Sequence, residues 1–426
     1  MQGKEMQEPH KTFGAAQKCT FPSYTPEKET EKKQRSHSTP LTDQHLALQK
    51  QLLRIKSAYY YTPGDVMAEV HPTQGTVSPR QGKNTPPPCI VSGNGNRPLA
   101  EAVAMLLGFP THQTLVGQHA NGEVNVRIDE SVLGADVYII QSMTGNEVID
   151  VNTAVMELLF LIRKMRLSNA RRVTAVIPYL AYSRQDSKHR ARSTVSSSAV
   201  AEMLTQAGVD RVTTLDLHSG QIQGFFENTP LDNLQMNPEF AKYLCSQPWF
   251  DPDNMAVVSV GSSGLERARK LADVLSIGCI VTIMKRCSAS GVETLQPVGD
   301  VKGRICVVLG GMCDTGHTTE QVCALLHDLG ATKIAACFTH GILTPPCVQR
   351  LNNCESLSEI VVSDSIPQEE HLRLIPKLKV LTIAPLLATV IDMHTRDEGI
   401  SSLFDMSPLQ LREKKASCAP EAVASH

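Results

Sequence analysis

The sequence predicts an α/β protein made of two tandem domains with parallel sheets, preceded by a disordered N-terminal extension. Three observations carry this expectation. Short β-branched apolar runs, such as Val173 to Leu180 and Met255 to Val260, alternate with helical patterns, the order of a parallel crossover unit. That strand, loop, helix, strand order occurs around residues 171–218 and begins again at residue 255. Up to about residue 87 the chain is instead rich in Pro, Lys, Glu, Gln, Ser and Thr, a composition with too little apolar surface to offset the entropy of ordering. The expected division is an extension over 1–87, a first α/β domain over 88–234 and a second over 235–398. A terminal strand over 399–407 returns to the first domain, and a polar tail covers 408–426.

Bulk properties narrow the function. The 426 residues, 41% of them hydrophobic, suffice for about two or three domains with sizeable cores. A net charge of −2 gives no reason to expect nucleic acid or a membrane surface as partner. No apolar run is long enough to span a bilayer, and the N-terminus lacks the apolar segment of a secretory signal. The 12 cysteines are scattered without a Cys-x-x-Cys pair, so their spacing indicates neither a zinc site nor a disulfide framework. They suit a reducing, cytoplasmic compartment.

Within the extension, Leu46 to Ile55 is one short amphipathic piece. Order is expected from Pro86 to Val91, a strand entering the turn Gly93 to Asn96, followed by a helix over Leu99 to Leu107 that Gly108 closes. An early hairpin around His119 to Val126, a strand over Asp136 to Ile140 and a helix over Val148 to Lys164 lead to the chemically richest stretch. There an apolar strand gives way to Tyr182–Arg192, where Arg184, Lys188, Arg190 and Arg192 crowd a single acid, Asp186. A helix with Val200, Met203, Leu204 and Ala207 on one face stops at Gly208, and a strand over Arg211 to His218 follows. The second unit reads as a strand over Met255 to Val260, a turn Gly261 to Gly264 and a helix over Glu266 to Leu275. A strand over Cys279 to Met284 then reaches Lys285, Arg286 and a soft loop, Cys287 to Thr294. Further elements are a strand entering the loop at Gly310 to Thr318, a helix over Gln321 to Leu329, strands over Ile334 to Thr339 and Glu359 to Ser363, and a helix over Leu386 to Met393.

Ligands of such units collect at the carboxyl ends of the strands. Alternation along a strand would send Asp216 and His218 to the same side, where a metal or Mg-nucleotide could meet both; a structural hydrogen-bonded pair is the plainer reading. The basic loop could hold phosphates, or simply be solvated. In Asp314-Thr-Gly-His-Thr318, amide groups at a helix N-terminus make an anion site, while Asp314 as a helix-entry residue and Thr318 as a cap would serve structure alone.

The combination of Arg184-Gln-Asp186, Asp216-Leu-His218 and Gln221-Ile-Gln-Gly-Phe-Phe226 resembles the ribose-phosphate diphosphokinase (phosphoribosyl pyrophosphate, PRPP, synthetase) family, from about Cys89 to about Phe404. The resemblance implies two type I phosphoribosyltransferase-like domains and transfer of diphosphate from ATP to ribose 5-phosphate, with Mg2+ as cofactor. It implies ATP-binding roles for Asn121, Glu123, Arg184, Gln185 and Asp186, with His119 where an aromatic residue is expected. Lys285 and Arg286 would be catalytic, Arg286 after a one-residue gap. Asp216, His218, Glu227 and Asp232 would serve the metal. Ribose 5-phosphate would sit on Gly310, Gly311, Asp314, Thr315, Gly316 and Thr318. Family members form dimers built into hexamers, so a homo-oligomer or a hetero-oligomer with paralogues is expected.

The chain departs from that pattern at several acids. Gly310-Gly311 stand where two aspartates grip the ribose hydroxyls, Gly261 where a metal-associated aspartate is expected, and His317 where glycine is usual. Hydrogen bonds to charged groups contribute about 1.5–3 kcal/mol each, so losing the pair would cost roughly 3–6 kcal/mol if the effects add. Two functions follow: an active or weakly active synthetase, or a catalytically impaired regulatory or associated subunit. A phosphoribosyltransferase is disfavoured, because it has no use for the Arg-Gln-Asp and Asp-Leu-His segments.

Overall fold

The structure, a computed structural model, describes residues 87–188, 192–261, 264–287 and 293–403, and at 285–287 and 293–294 the backbone only. The expected extension (apart from Pro87), the Leu46 to Ile55 piece and the polar tail lie outside the described residues.

The first domain runs β1 (Cys89–Ser92), α1 (Arg97–Leu107), β2 (Thr114–Gln118), β3 (Val124–Ile128), β4 (Asp136–Ile140), α2 (Val151–Leu167), β5 (Arg172–Ile177), α3 (Ser196–Ala207), β6 (Arg211–Leu215), a 3-10 turn (Gly220–Phe225), β7 (Leu231–Leu234) and α4 (Asn237–Ser246). Its five-stranded sheet has the order β1-β4-β5-β6-β7, parallel throughout, and β2–β3 is a separate antiparallel hairpin. Polar residues set the helix starts. Asn96 accepts from the Leu99 amide at the head of α1, and Asp150 accepts from Asn152 and Thr153, which is why α2 begins at Val151 rather than Val148. Gly108 and Gly208, both at positive φ, end α1 and α3.

The second domain runs β8 (Met255–Val260), α5 (Leu265–Leu275), β9 (Ile280–Cys287), β10 (Glu293–Val298), β11 (Ile305–Cys313), α6 (His317–Asp328), β12 (Lys333–Gly341), α7 (Cys347–Asn353), β13 (Glu359–Ser363), α8 (Glu369–Leu374), β14 (Leu378–Leu381) and α9 (Ala384–Thr395). The sheet order is β10-β9-β8-β11-β12-β13-β14, with only β10 antiparallel. The order reverses between β8 and β11, which makes the ends of those two strands the topological switch point where open α/β sheets bind ligands.

Two expectations are corrected. β9 runs past its expected end at Met284 through Lys285, Arg286 and Cys287, because β10 pairs with them through Leu295, Thr294 and Glu293. Residues 288–292 of the expected loop lie outside the described residues. Ser401–Leu403 is a 3-10 turn rather than a strand, and 404–407 lie outside the described residues. Ile400 and Leu403, three apart, both dock into the core that α1 and α9 share, a spacing that suits a turn and not a two-residue alternation.

The two sheets meet carboxyl end to carboxyl end through buried hydrogen bonds. Asn96 Nδ2 donates to Asp364 O at 2.7 Å and Ser142 Oγ to Ser365 O at 2.6 Å. Thr339 Oγ1 donates to Asp216 Oδ2 at 2.6 Å. His340 faces the Leu215 and Asp216 carbonyls with Nε2, which must therefore carry the proton, while Nδ1 lies 2.9 Å from Ser365 Oγ. Burial pushes His340 down to about 4, and burial likewise pushes Asp364 up to about 7. Below the ordinary value of 6.5 the unfolded chain binds a proton that the folded His340 refuses. Its contribution is thus present above about pH 6.5 and is lost as pH falls toward 4, by roughly 3 kcal/mol in all. In urea titrations between neutral pH and pH 4, His340→Gln is expected to flatten that decline; Asp364 acts with the opposite sign in both proteins and cancels in the difference. Equal pH slopes for the two proteins would contradict the burial of a neutral His340.

Candidate functional site

After β5 the chain turns through Tyr182, at φ 60°, and delivers Arg184 across the junction between the domains. Arg184 Nη1 donates to Asp314 Oδ2 at 2.6 Å, and the Thr344 hydroxyl donates to the other carboxylate oxygen. Although burial opposes it, the bond from Thr344 and then that from Arg184 hold the Asp314 carboxyl below its usual range. A half-exposed pair of this kind contributes at most about 1 kcal/mol. Its significance is positional: the basic loop of the first domain touches the loop that follows β11. Gln185 is anchored to the head of α3, where its side-chain oxygen accepts from Ser196 and its carbonyl accepts from Ser197 Oγ at 2.8 Å.

Asp186 joins this loop to His218. It is 7% exposed, and its Oδ2 lies 2.9 Å from His218 Nδ1, while Gln221 Nε2 donates to its carbonyl. Against burial, bonds from Ser219, His218 and Ser187 keep its carboxyl ionised below the usual range. A carboxylate on Nδ1 fixes the tautomer that leaves Nε2 as an outward lone pair on a part-exposed ring.

The expected pairing of Asp216 with His218 is corrected. The strand ends at Leu215 and Asp216 adopts φ 41°, so alternation fails at the residue where it was needed. Asp216 turns inward, accepts from Met236 N at 3.1 Å and from Thr339, and lies 3.5 Å from Arg267. Asp232 is likewise engaged elsewhere, toward the amino half of β7, by Arg211 at 2.8 Å and His394 at 3.4 Å. Glu227 is exposed beyond the 3-10 turn. The four expected metal residues therefore do not converge, and among the described residues no cluster of three metal-ligating side chains occurs. A protein-only Mg2+ cage does not fit these residues. A cation held chiefly by nucleotide phosphates, with His218 Nε2 beside it, does.

The loop after β11 is backed by α7. Gly316, at φ 74°, caps α6, and a Cβ there would come within 2.9 Å of Cys347 Sγ, so only glycine suits this turn. Arg350 Nη1 donates to Thr315 O at 2.9 Å. Thr318 is half-buried in the first turn of α6, and Thr315 is exposed. Gly310 and Gly311 lie within β11, and their side-chain directions leave opposite faces of the sheet. A Cβ on Gly310 would lie 2.6 Å from the Phe338 ring; one on Gly311 would lie 2.6 Å from Arg267 Nη1. Arg267, on α5, carried no sequence signal beyond that of a basic residue on a helix.

Two further expected groups lie on other elements. The polar groups of Asn121 and Glu123 sit on the exposed tip of the β2–β3 hairpin, where Asn121 Oδ1 accepts from the Glu123 amide. The backbone of Lys285 and Arg286 continues β9 beyond Ile283, the partner of the last residue of β8. A cavity of about 370 Å³ at the opposite edge of the first sheet is lined by Arg172, Arg211 and His394, but its arginines are already paired with Asp136, Asp397 and Asp232.

Residues 88–208 match the N-terminal domain of ribose phosphate pyrophosphokinase, and residues 258–405 match the phosphoribosyl synthetase-associated domain. The ribose-phosphate pyrophosphokinase of Clostridium perfringens is 39% identical over 317 residues, covering 74% of this chain and 97% of its own length. The chain belongs to the ribose-phosphate pyrophosphokinase family. Ribose-phosphate pyrophosphokinase A of Dictyostelium discoideum is 39% identical over 315 residues, again covering 74% of this chain and 97% of its own. Phosphoribosylpyrophosphate synthetase from Mycobacterium smegmatis superposes with a TM-score of 0.68 at 36% identity, over 73% of this chain and all of that one. Like the relatives' shared fold, the two α/β domains with parallel sheets are those the sequence predicts. Among the described residues no helix is long and apolar enough to cross a membrane.

The glycine pair distinguishes two substitutions. Gly310→Asp must displace the Phe338 ring, 6% exposed, and is expected to destabilise by about 1–3 kcal/mol in denaturant unfolding. Gly311→Asp meets only the flexible end of Arg267, with which it can pair, and is expected to cost much less. The reverse ranking would show that Phe338 and Arg267 do not occupy these positions.

Proposed function

We propose that this chain is a ribose-phosphate diphosphokinase that moves the diphosphoryl group of ATP to the anomeric hydroxyl of ribose 5-phosphate, leaving AMP and PRPP. The observation that supports it most is the Arg184–Asp314 contact, which sets a phosphate-binding loop of one domain against the helix-head loop of the other. Transfer of this kind requires in-line positioning and cations around the β-phosphate, and little covalent help. Arg184 would leave Asp314 for the nucleotide phosphates. His218, oriented by Asp186, presents Nε2 beside them. Bound Mg2+ would neutralise charge on the phosphates. Lys285 and Arg286 would add cations from the far end of β9. The Thr315–Thr318 segment at the α6 N-terminus would hold the 5-phosphate. Asn121 and Glu123 would recognise adenine bound to a neighbouring subunit, in keeping with their exposed hairpin tip.

A second reading, an associated subunit of low intrinsic activity, is favoured by the sugar side. Gly261, Gly310 and Gly311 supply no carboxylates, and the space beside the last two is taken by Phe338 and Arg267. The purified chain, assayed alone with ATP, Mg2+ and ribose 5-phosphate, is expected to form AMP in a sugar-dependent manner. Absence of that signal, with a paralogue co-purifying, would establish the second reading instead. Lys285→Ala is expected to lower the rate by about a hundredfold or more while nucleotide binding persists; an undiminished rate would remove Lys285 from the reaction. His218→Ala is expected to weaken Mg-ATP binding more than binding of ribose 5-phosphate, as read by calorimetry.

A further inference from the structure

The loop after β11 is held from behind by residues 342–351. Ile342 and Leu343 donate their amides to Cys313 O at 2.9 and 3.1 Å, and the Thr344 hydroxyl donates to the Asp314 carboxylate. Cys347 and Leu351, four apart on α7, are fully buried and seat that helix on the core of the second domain. The seating sets Arg350, three residues after Cys347, along the loop. Two nitrogens of its planar guanidinium then hold the two sides of the α6 N-terminus. Nη1 donates to Thr315 O at 2.9 Å, and Nε lies 3.7 Å from Oε2 of Glu320 in the first turn of α6. The stem of Arg350 packs beneath Gly316, where a Cβ would lie 3.7 Å from Arg350 Cβ.

These two contacts bear on how well the loop can hold an anion. A carbonyl turned toward a phosphate repels it, and a carboxylate in the first turn of a helix offsets part of the positive end that attracts it. We propose that Arg350 is a positioning residue for the phosphate of the sugar substrate. It sets the affinity of the loop for that phosphate by drawing the Thr315 carbonyl to the rear and by neutralising Glu320, and it acts through the loop rather than as part of the cradle. The proposal rests on the reading of residues 315–318 as the phosphate cradle. Its effect is confined to the sugar side, because the contacts that hold Arg184, Gln185 and His218 involve neither Arg350 nor Glu320.

The test is calorimetry on the folded full chain, with ribose 5-phosphate and a non-hydrolysable ATP analogue titrated separately. Arg350→Gln is expected to weaken binding of ribose 5-phosphate by about tenfold, the worth of one charge-assisted hydrogen bond, and to leave binding of the analogue unchanged. Glu320→Gln, at a side chain 41% exposed, is expected to tighten ribose 5-phosphate by about threefold. Combined with Arg350→Gln, it is expected to restore part of what that substitution loses. Wild-type affinity for ribose 5-phosphate in Arg350→Gln, or an equal loss of both ligands, would overturn the role given to Arg350. So would a Glu320→Gln chain that binds the sugar phosphate no better than wild type. If Arg350→Gln does not fold, Glu320→Gln decides alone. A wild-type chain that binds the analogue but not ribose 5-phosphate is a separate failure, which removes the cradle and the proposal with it.

Discussion

The architecture depends on one buried layer of polar contacts, in which the carboxyl ends of the two sheets are hydrogen-bonded to each other. Asp216 is its pivot. A carboxylate so deeply buried is tolerable only when its lone pairs are met, and here Met236 N, Thr339 Oγ1 and the nearby Arg267 meet them. His340 extends the layer by bonding the carbonyls of Leu215 and Asp216. Because these groups are satisfied only when both domains are in register, the layer fixes how the loop carrying Arg184 faces the loop carrying Asp314.

From that constraint the division of labour in the crevice follows. With Asp216 committed to the junction, Asp186 is the carboxylate that orients His218, and the proposed nucleotide side has a basic loop, an oriented imidazole and an anchored Gln185. The proposed sugar side has the Gly316 turn, Asp314 and the head of α6. It differs at the two strand positions where no side chain is present and where neighbouring groups have filled the volume. The asymmetry is chemical as well as steric. Where the family resemblance implies carboxylates that accept from sugar hydroxyls, the group beside Gly311 is a guanidinium, which can only donate.

Much of this was legible in the sequence, and the remainder failed for physical reasons. The strands over Asp136–Ile140, Met255–Val260 and Glu359–Ser363 read directly, because buried parallel strands are short β-branched runs bounded by turn residues. Glycine at positive φ marked the ends of α1 and α3. The orientation of Asp216 was not legible: alternation holds only while the backbone stays extended, and a single left-handed residue cancels it. The extension of β9 through Lys285 was hidden because a strand's length depends on its partner, here β10. Arg267 was equally hidden, since its contact with Asp216 joins residues far apart in the chain and follows no spacing rule.

The account stands on a single crevice serving both ligands. A crystal structure of the chain with a non-hydrolysable ATP analogue, Mg2+ and ribose 5-phosphate tests this most directly. The triphosphate is expected between Arg184 and His218, with the Arg184–Asp314 bond opened, and the 5-phosphate at the amino end of α6. Either ligand bound away from this junction, or Arg184 still paired with Asp314 beside a bound nucleotide, would contradict it.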